Sequence, residues 1–297
     1  LIINKYLISD IITIVMSKYK DLKCSGERAL FNISDAYIDN CLFFDGESPL
    51  KECRNLDIHH STFDWKYPLW YGNNITVQDS VITKTGRAGI WYSNNVKFLN
   101  TTIDGAKTFR RCNQLIIDHC DFSNALETLW HCSDVKLSNC QIKGDYLFLD
   151  SKNIYVENIK LIGDYGFDSC ENVEIHHSEL HTKDAFWNCK NVVVYDSTIV
   201  GEYLAWNAQN ITFINCHIES LQGFCYINNL KLVNCTMDNT TLSFEYSNNV
   251  DAEIKSTIDS IKNVGSGVIT AKKINEIIMD ETKVDINKTK IIINEDL

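Results

Sequence analysis

Proline is nearly missing from this chain, which has only Pro49 and Pro68 among 297 residues. Glycine is also sparse, with 13 residues, and no stretch rich in Gly, Ser or Pro divides the sequence. Such stretches usually form the linkers between domains. The composition therefore predicts one elongated domain, and its 44% hydrophobic and 23% charged residues are typical of a soluble globular protein.

Long apolar runs are missing as well. The opening segment LIINKYLISDIITIV is interrupted by Lys5, Ser9 and Asp10, and its longest unbroken run is Ile11 to Val15. Five residues are too few for a membrane span or for the apolar region of an export signal. We expect no membrane partner, and an export signal stays as the weaker alternative.

The domain boundaries follow from the same segment. The chain begins with Leu1, and we predict a natural start at Met16. Residues 1–25 are interpreted as an N-terminal extension or cap, and residues 26–297 as a single domain. The regular pattern of that domain becomes irregular from about residue 259.

Basic residues are in the minority. The chain has 28 Lys and Arg against 39 Asp and Glu, which gives a net charge of −11 and a pI near 5.2. Because a nucleic-acid backbone binds to clusters of Lys and Arg, this balance argues against a nucleic-acid partner.

A repeat of 19 to 21 residues fills most of the chain. NVEIHHSEL from Asn172, NVVVYDSTI from Asn191 and NITFINCHI from Asn210 are three consecutive copies. The copies begin at the following residues, which are mostly Asn: Asp35, Asn55, Asn74, Asn95, Gln114, Asp134, Asn153, Asn172, Asn191, Asn210, Asn229 and Asn249. Repeats of this length are the signature of a solenoid.

Each copy has apolar residues in alternation, as in Val173 and Ile175, and no segment long enough for a helix. The sequence therefore predicts an all-β fold, a right-handed parallel β-helix of about twelve coils with 19–20 residues each. Equivalent residues of successive coils stack, so the Asn residues are expected to form a ladder of hydrogen-bonded amides.

Histidines and cysteines obey the same repeat. His60, His119 and His177 share a turn column and lie three coils apart, about 14 Å at the usual strand spacing, which is too far to share a metal. Cysteine alternates with Ser or Thr in two columns, as Cys170 does with Ser151. We predict free buried thiols, no metal site and no cofactor. Reduced thiols favour a cytoplasmic location.

One column contains five of the six tryptophans, and we call it the outer column. Its members are Trp70, Trp91, Arg110, Trp130, Leu149, Asp168, Trp187, Trp206, Cys225 and Glu245. Strand alternation predicts that it points outward, because the preceding column, with Phe148, Phe167 and Phe186, reads as core. A column of smaller residues, from Pro68 and Gly89 to Ser243, is expected to point outward beside it.

Exposed aromatic rings beside small residues are typical of a groove that binds sugar rings, and they are typical of protein interfaces as well. We therefore predict glycan-binding residues on this face. The alternative is a non-enzymatic intracellular scaffold or binding protein that uses the face as a protein interface, including one between copies of the chain. The candidates are Trp70, Trp91, Trp130, Trp187, Trp206, Arg87, Arg110 and Glu202.

Five acids on the same face are candidate catalytic residues of a glycoside hydrolase, which uses two carboxylates. They are Glu127, Asp145, Asp164, Asp168 and Asp184. Asp145 and Asp164 stack one coil apart, about 5 Å, which is the separation found in retaining glycosidases. Two structural alternatives remain: the repeated Gly-Asp-Tyr is a turn motif, and Glu127 forms an ion pair with Lys107.

The segments GERALF, DGESPLKE, WKYPLWY, RAGIWY, FRR, ETLW, KDAFWNC and FEYS resemble a family of right-handed parallel β-helix proteins of unknown function, found in bacteria and some protists. The resemblance extends from about Gly26 to the late 260s. It implies the fold and no catalytic residues. The architecture is more distantly similar to pectate lyases and polygalacturonases, which is a likeness of fold alone.

Overall fold

A computed structural model describes residues 16–297, which form a parallel β-helix without any α-helix in that part of the chain. The predicted fold class is confirmed: the protein is a right-handed parallel β-helix. The expectations for residues 1–15 lie outside the described residues.

The main sheet, which we call the long stack, contains one strand from each coil. Its strands are Ser17–Lys20, Ser34–Asp39, Arg54–His59, Asn73–Gln78, Asn94–Leu99, Asn113–Asp118, Ser133–Ser138, Lys152–Glu157, Glu171–His176, Lys190–Tyr195, Gln209–Ile214, Asn228–Asp238, Asn248–Lys262, Gly267–Ile278 and Thr289–Ile293. Each strand between the first and the last of these pairs in parallel with the strands of the coils before and after it, as Val173 does with Ile154 and Val192.

A second sheet, the short stack, follows after one turn. Its strands are Lys23–Ser25, Leu42–Phe44, Thr62–Asp64, Val81–Ile82, Thr102–Ile103, Asp121–Phe122, Gln141–Lys143, Lys160–Ile162, Glu179–His181, Thr198–Gly201 and His217–Ser220. Two short 3-10 helices, Lys84–Gly86 and Ile286–Lys288, and a two-stranded sheet of Ile90–Trp91 and Phe109–Arg110 complete the regular elements of the described residues.

The predicted number of twelve coils is too low, because the long stack has about fifteen. The three additional coils lie at the ends, where the position of the ladder Asn is taken by Met16, Ser266 and Lys288. The first strand of the described residues begins at Ser17, within the segment 1–25 that the sequence assigns to an extension or cap. The repeat is also irregular earlier than residue 259, since Asn228–Asp238 already runs through a corner.

The predicted Asn ladder is confirmed at the turn before the long stack. The Nδ2 atom of Asn172 donates to Oδ1 of Asn153 at 3.0 Å, and Asn191 donates to Asn172 at 2.9 Å. All twelve members, from Asp35 to Asn249, have φ between 51 and 64°. Asn and Asp tolerate this left-handed conformation better than other residues with side chains, which explains why the repeat selects them.

The histidine column occupies a second turn of the same kind. His60, His119 and His177 have φ values of 47, 52 and 46°. The Asn and Asp residues at the equivalent positions of other coils also have positive φ. The motif His176-His177 is therefore part of a turn ladder, as its place in the repeat indicates.

The third side of the coil differs from the predicted strand. Only Ile90–Trp91 and Phe109–Arg110 form strands there, and in a typical coil Tyr165, Phe167 and Ser169 all have positive φ. Because every second residue is left-handed, the chain bends and two successive residues, such as Gly166 and Phe167, face the core. The prediction that the small column points outward is therefore wrong: Thr108, Thr128 and the other members are buried.

All twelve cysteines lie in the described residues and are free thiols. The Sγ atom of Cys170 lies 3.7 Å from the carbonyl oxygen of Phe148, and Oγ of Ser151 donates to the equivalent carbonyl of Leu129 at 2.8 Å. The columns alternate between Cys and Ser because both side chains bond a carbonyl group of the preceding coil.

Candidate functional site

The outer column is aligned as predicted. Parallel bridges join Arg110, Trp130, Leu149 and Asp168 in successive coils, and the Ser169 amide donates to the carbonyl of Trp187. The five indole N–H groups all donate to a backbone carbonyl of the next coil, at 2.6 to 2.8 Å. Their acceptors belong, in order, to Ala88, Lys107, Tyr146, Tyr203 and Gln222.

The tryptophan rings stack on one another along the solenoid axis. Trp70 and Trp91 lie 5.0 Å apart with planes 8° from parallel, and Trp187 and Trp206 lie 5.9 Å apart at 10°. The expected solvent-facing rings are instead half-buried, because neighbouring rings cover their faces. Most of the outer column is therefore a ladder of stacked rings, which expose their edges and cover one another's faces.

The ladder is interrupted between Trp130 and Trp187, where Leu149 and Asp168 stand in the place of rings. We call this interruption the gap. Trp130 and Trp187 are three coils apart, about 14 Å at the strand spacing. Trp187 stacks with Trp206 on one face, and its other face is directed to the coil of Asp168.

Polar side chains border the gap on one side. The Oδ1 atom of Asp168 accepts hydrogen bonds from Ser169 at 2.8 Å and from Asn188 at 3.2 Å, and Asp150 contacts His131 at 2.9 Å. The stacked rings of Tyr146 and Tyr165, 4.7 Å apart, lie in the column on the other side.

Asp168 is the one predicted catalytic acid in the gap. Ser169 and Asn188, which bond Asp168, were not predicted, and the sequence pointed to His131 and Asp150 of the same column without assigning them to the site. The same column has Tyr71 and Tyr92 on the early coils and polar residues on the coils of the gap. This change of residue type was the signal in the sequence.

The carboxylate of Glu127 forms ion pairs with two neighbouring basic residues. Its Oε2 atom lies 2.6 Å from Nη2 of Arg110 and 3.0 Å from Nζ of Lys107. Burial raises the pKa of Glu127, but the hydrogen bonds from Lys107 and Arg110 outweigh it, so the pKa lies below its ordinary value. This arrangement is the structural pair that we considered as the alternative, extended by Arg110.

Asp145 and Asp164 bond the backbone of the following coil. Oδ1 of Asp145 accepts from the amide of Asp164 at 2.8 Å, and Oδ1 of Asp164 accepts from the amide of Lys183 at 3.4 Å. Gly163, with φ of 158°, precedes Asp164 and lies too close to the Gly144 carbonyl group to accept a Cβ atom. These contacts favour the turn-motif interpretation of Gly-Asp-Tyr.

Glu202 stands at the position equivalent to Asp164 two coils later and pairs with Lys183 at 3.3 Å. Arg87, the remaining predicted binding residue, is exposed on an early coil, and its carbonyl group accepts from the Tyr67 amide. Neither residue is part of the gap.

Asp184 is buried, with 3% of its surface exposed, and its Oδ1 atom has no hydrogen-bond partner. Burial raises the pKa of Asp184, Lys183 opposes this effect, and the charges of Glu202 and Asp164 add to it. The carboxyl group replaces the Tyr ring found at Tyr165 and Tyr203, and unlike Tyr165 it has no positive φ.

The described residues contain no group of three or more His, Cys, Asp and Glu side chains that is able to hold a metal ion. None of the helices in the same residues has the length and apolar character needed to cross a membrane. A shallow depression of about 460 Å³ lies elsewhere, on the outer face of the long stack beside the Asn ladder, between Asn191 and Asp251.

The fold and the outer column define a parallel β-helix whose third side is lined by a ladder of aromatic rings. The chain belongs to the family described as "Protein of unknown function (DUF3737)", whose pattern matches residues 17–292. This membership confirms the resemblance that the sequence motifs indicated. No curated protein matches the sequence.

Solved structures resemble the chain only distantly. PfbA, a surface adhesin of Streptococcus pneumoniae, is 10% identical over 88% of this chain and 82% of its own, with a TM-score of 0.38. The A-module of the Azotobacter vinelandii mannuronan C-5 epimerase AlgE6 is 9% identical over 92% and 87%, with a TM-score of 0.26. The catalytic domain of a GH87 alpha-1,3-glucanase is 10% identical over 93% and 58%, with a TM-score of 0.27.

Proposed function

We propose that the protein binds a glycan in the gap between Trp130 and Trp187. The observation that carries this proposal is the interruption of the ring ladder. Trp187 stacks on Trp206 with one face, and on its other side the outer column holds Asp168 where the rest of the column mostly has a ring. An indole face that stacks on no other ring, with the Asp168 carboxylate and the Asn188 amide beside it, suits a sugar ring.

The two kinds of sugar surface match the two kinds of group in the gap. The C–H face of a pyranose would pack on the indole ring of Trp187, and its hydroxyl groups would bond Asp168 and Asn188. Asp150 and Asp168 make the surroundings acidic, so we propose a neutral sugar rather than an anionic one.

Binding has more support than hydrolysis. A glycosidase needs a second carboxylate about 5–10 Å from Asp168, with one of the two acids protonated at working pH. Burial raises the pKa of Asp184, and the same burial separates its carboxyl group from a bound sugar. Glu127, Asp145 and Asp164 have cationic or backbone partners.

The experiment is a glycan array followed by calorimetric titration of each bound oligosaccharide. Trp187→Ala is expected to weaken binding about tenfold, which corresponds to about 1.4 kcal/mol. Trp70→Ala is the matched control, because Trp70 also ends a ring stack and also donates to a carbonyl group, far from the gap. Absence of any bound glycan, or equal losses in both variants, would overturn the proposal.

A protein interface is the second candidate function, and the early coils favour it. Tyr71 and Tyr92 are 47% and 43% exposed and stack at 5.0 Å beside Trp70 and Trp91. Four aligned rings that cover one another's faces and expose their edges form a flat aromatic patch, which is typical of protein interfaces.

This second candidate is tested by sedimentation of the wild-type chain and of the double variant Tyr71→Ser/Tyr92→Ser. An interface between copies predicts that the variant loses association while it keeps glycan binding. Unchanged sedimentation would contradict the patch as a self-association surface.

We also infer a reducing compartment, the cytoplasm, as the site of action. The support is the set of buried free thiols, in columns where Ser makes the same hydrogen bond as Cys. Fractionation of cells that produce the tagged protein tests this location.

A further inference from the structure

Charge is distributed unevenly along the third side, which is the segment between each strand of the short stack and the next strand of the long stack. Three coils before Glu127 have six basic residues and one acid on this side, and four coils after Glu127 have six acids and one basic residue. The coils before Glu127 are residues 65–72, 83–93 and 104–112, with Lys66, Lys84, Arg87, Lys107, Arg110, Arg111 and the acid Asp104. The coils after it are residues 144–151, 163–170, 182–189 and 202–208, with Asp145, Asp150, Asp164, Asp168, the buried Asp184, Glu202 and the basic Lys183. The third side therefore changes from positive to negative along the solenoid axis.

Several of these charges are not neutralised by the chain itself. Three basic residues and three acids have no partner of opposite charge at ion-pair distance within residues 16–297, unlike Lys107 and Glu127. They are Lys84, Arg87 and Arg111 on the positive half, and Asp145, Asp164 and Asp168 on the negative half. Equal numbers of opposite charges on the two halves are complementary to each other when one half lies on the other.

The same side also has apolar area to contribute to a contact. Tyr71 and Tyr92 are exposed on the positive half, and the rings of Trp187 and Trp206 are half-buried on the negative half. Protein interfaces combine such aromatic area with charged residues at the rim. A contact through the third side would therefore bury apolar surface and bring opposite charges together.

We propose that two copies of the chain pair side by side and antiparallel through their third sides. The twofold axis lies in the contact plane near the coil of Glu127, perpendicular to the solenoid axis. The positive half of each copy then lies on the negative half of the other, whereas a parallel arrangement would bring like charges together. The same surface contributes from both copies, so the assembly closes as a dimer. Seven coils of overlap make a contact about 35 Å long at the strand spacing.

This proposal rests on the second candidate function, because Tyr71 and Tyr92 belong to the contact, and it adds the partner and its orientation. It does not require the glycan site. The partner would cover Trp187 and Asp168, so we expect a second copy and a bound glycan to exclude each other.

The experiment uses two charge-reversed chains in sedimentation equilibrium. Arg87→Glu/Arg111→Glu and Asp150→Lys/Asp168→Lys are each expected to raise the dimer dissociation constant at least about tenfold, since like charges then meet on both halves. An equimolar mixture of the two variants is expected to restore association, because each positive surface again meets a negative one. A rise in salt from about 0.05 M to about 0.5 M should weaken the wild-type dimer.

The matched control is Lys97→Glu/Lys190→Glu. It makes the same charge change as the arginine variant, on exposed residues of the long stack away from the third side. Its dissociation constant should equal that of the wild-type chain. Circular dichroism verifies that all variants keep the fold.

The outcomes separate this arrangement from the second candidate function. If Tyr71→Ser/Tyr92→Ser dissociates and the charge-reversed variants associate like wild type, the aromatic patch is an interface and the antiparallel arrangement is wrong. A mixture of the two variants that stays monomeric would overturn the arrangement as well. A wild-type chain that is monomeric up to about 100 µM would overturn both.

Discussion

The guanidinium group of Arg110 lies over the indole ring of Trp130, with its Cζ atom 4.2 Å from the ring centroid. The ring of Trp91 is on the opposite side, at 5.2 Å, so Arg110 continues the stack of rings as a planar cation. The same side chain donates to the carboxylate of Glu127 at 2.6 Å. Arg110 therefore joins the ring ladder to the polar edge of the third side.

Arg110→Ala should lower the free energy of unfolding by about 2 kcal/mol. The variant loses two cation–π contacts and the hydrogen bonds to Glu127, which keeps only Lys107 as a partner. Urea unfolding measures the change. Arg111→Ala is the control, since Arg111 is exposed and adjoins the same ring ladder. Equal stability of the two variants would contradict a role for the stack.

Asn172→Ala should destabilise the protein by about 2–3 kcal/mol. It removes two ladder hydrogen bonds, to Asn153 and from Asn191, and places a Cβ-bearing residue at φ of 57° without a polar side chain. Asn172→Gly separates the two causes, because glycine adopts this φ freely and cannot make the hydrogen bonds. We expect it to lose about half as much in thermal or urea unfolding. A larger loss with Gly than with Ala would contradict the backbone contribution.

Thiol titration of the denatured, unreduced protein should find all twelve cysteines free. In the native protein most should react slowly, because burial raises the pKa of Cys53 to about 11 and that of Cys225 to about 12, which leaves little thiolate at neutral pH. Thiols missing in pairs would contradict the interpretation of the stacked columns.

Asp184→Asn should raise stability at neutral pH by about 1–2 kcal/mol. Burial raises the pKa of Asp184 in the folded state, so folding favours the protonated acid. The stability associated with this group is full below the ordinary pKa of Asp and is lost as pH rises through the folded value. The gain from Asn should therefore shrink as pH falls toward 4. A pH-independent gain in urea unfolding would contradict this explanation.

Much of the fold could be predicted because, in a repeat of stacked coils, the residue one repeat away in sequence is the neighbour in space. The spacing of Asn153, Asn172 and Asn191 indicated a ladder, and the alternation of Cys170 with Ser151 indicated free thiols. The outer column was aligned correctly from the same register. The end coils were missed because Met16, Ser266 and Lys288 stand at the ladder position in place of Asn or Asp.

The candidate site was only partly predictable, because the third side is not a strand. Left-handed residues at every second position, such as Tyr165 and Phe167, cancel the simple alternation of inward and outward side chains. This is why the small column was placed on the wrong face. The ion pairs of Glu127 and the burial of Asp184 depend on the neighbouring coils in the same way.

By itself the sequence determined the fold class and, for the twelve coils with a clear repeat, which residues share a column, because stacking makes each position repeat its own chemistry. Only the tertiary structure decided which faces of the tryptophan rings are covered and which acids already have partners. Those contacts join residues about nineteen positions apart, and the direction of each side chain depends on backbone conformation at the corners. The gap in the ring ladder beside Trp187 is visible in the sequence, and the hydrogen bonds of Asp168 with Ser169 and Asn188 are visible only in the structure.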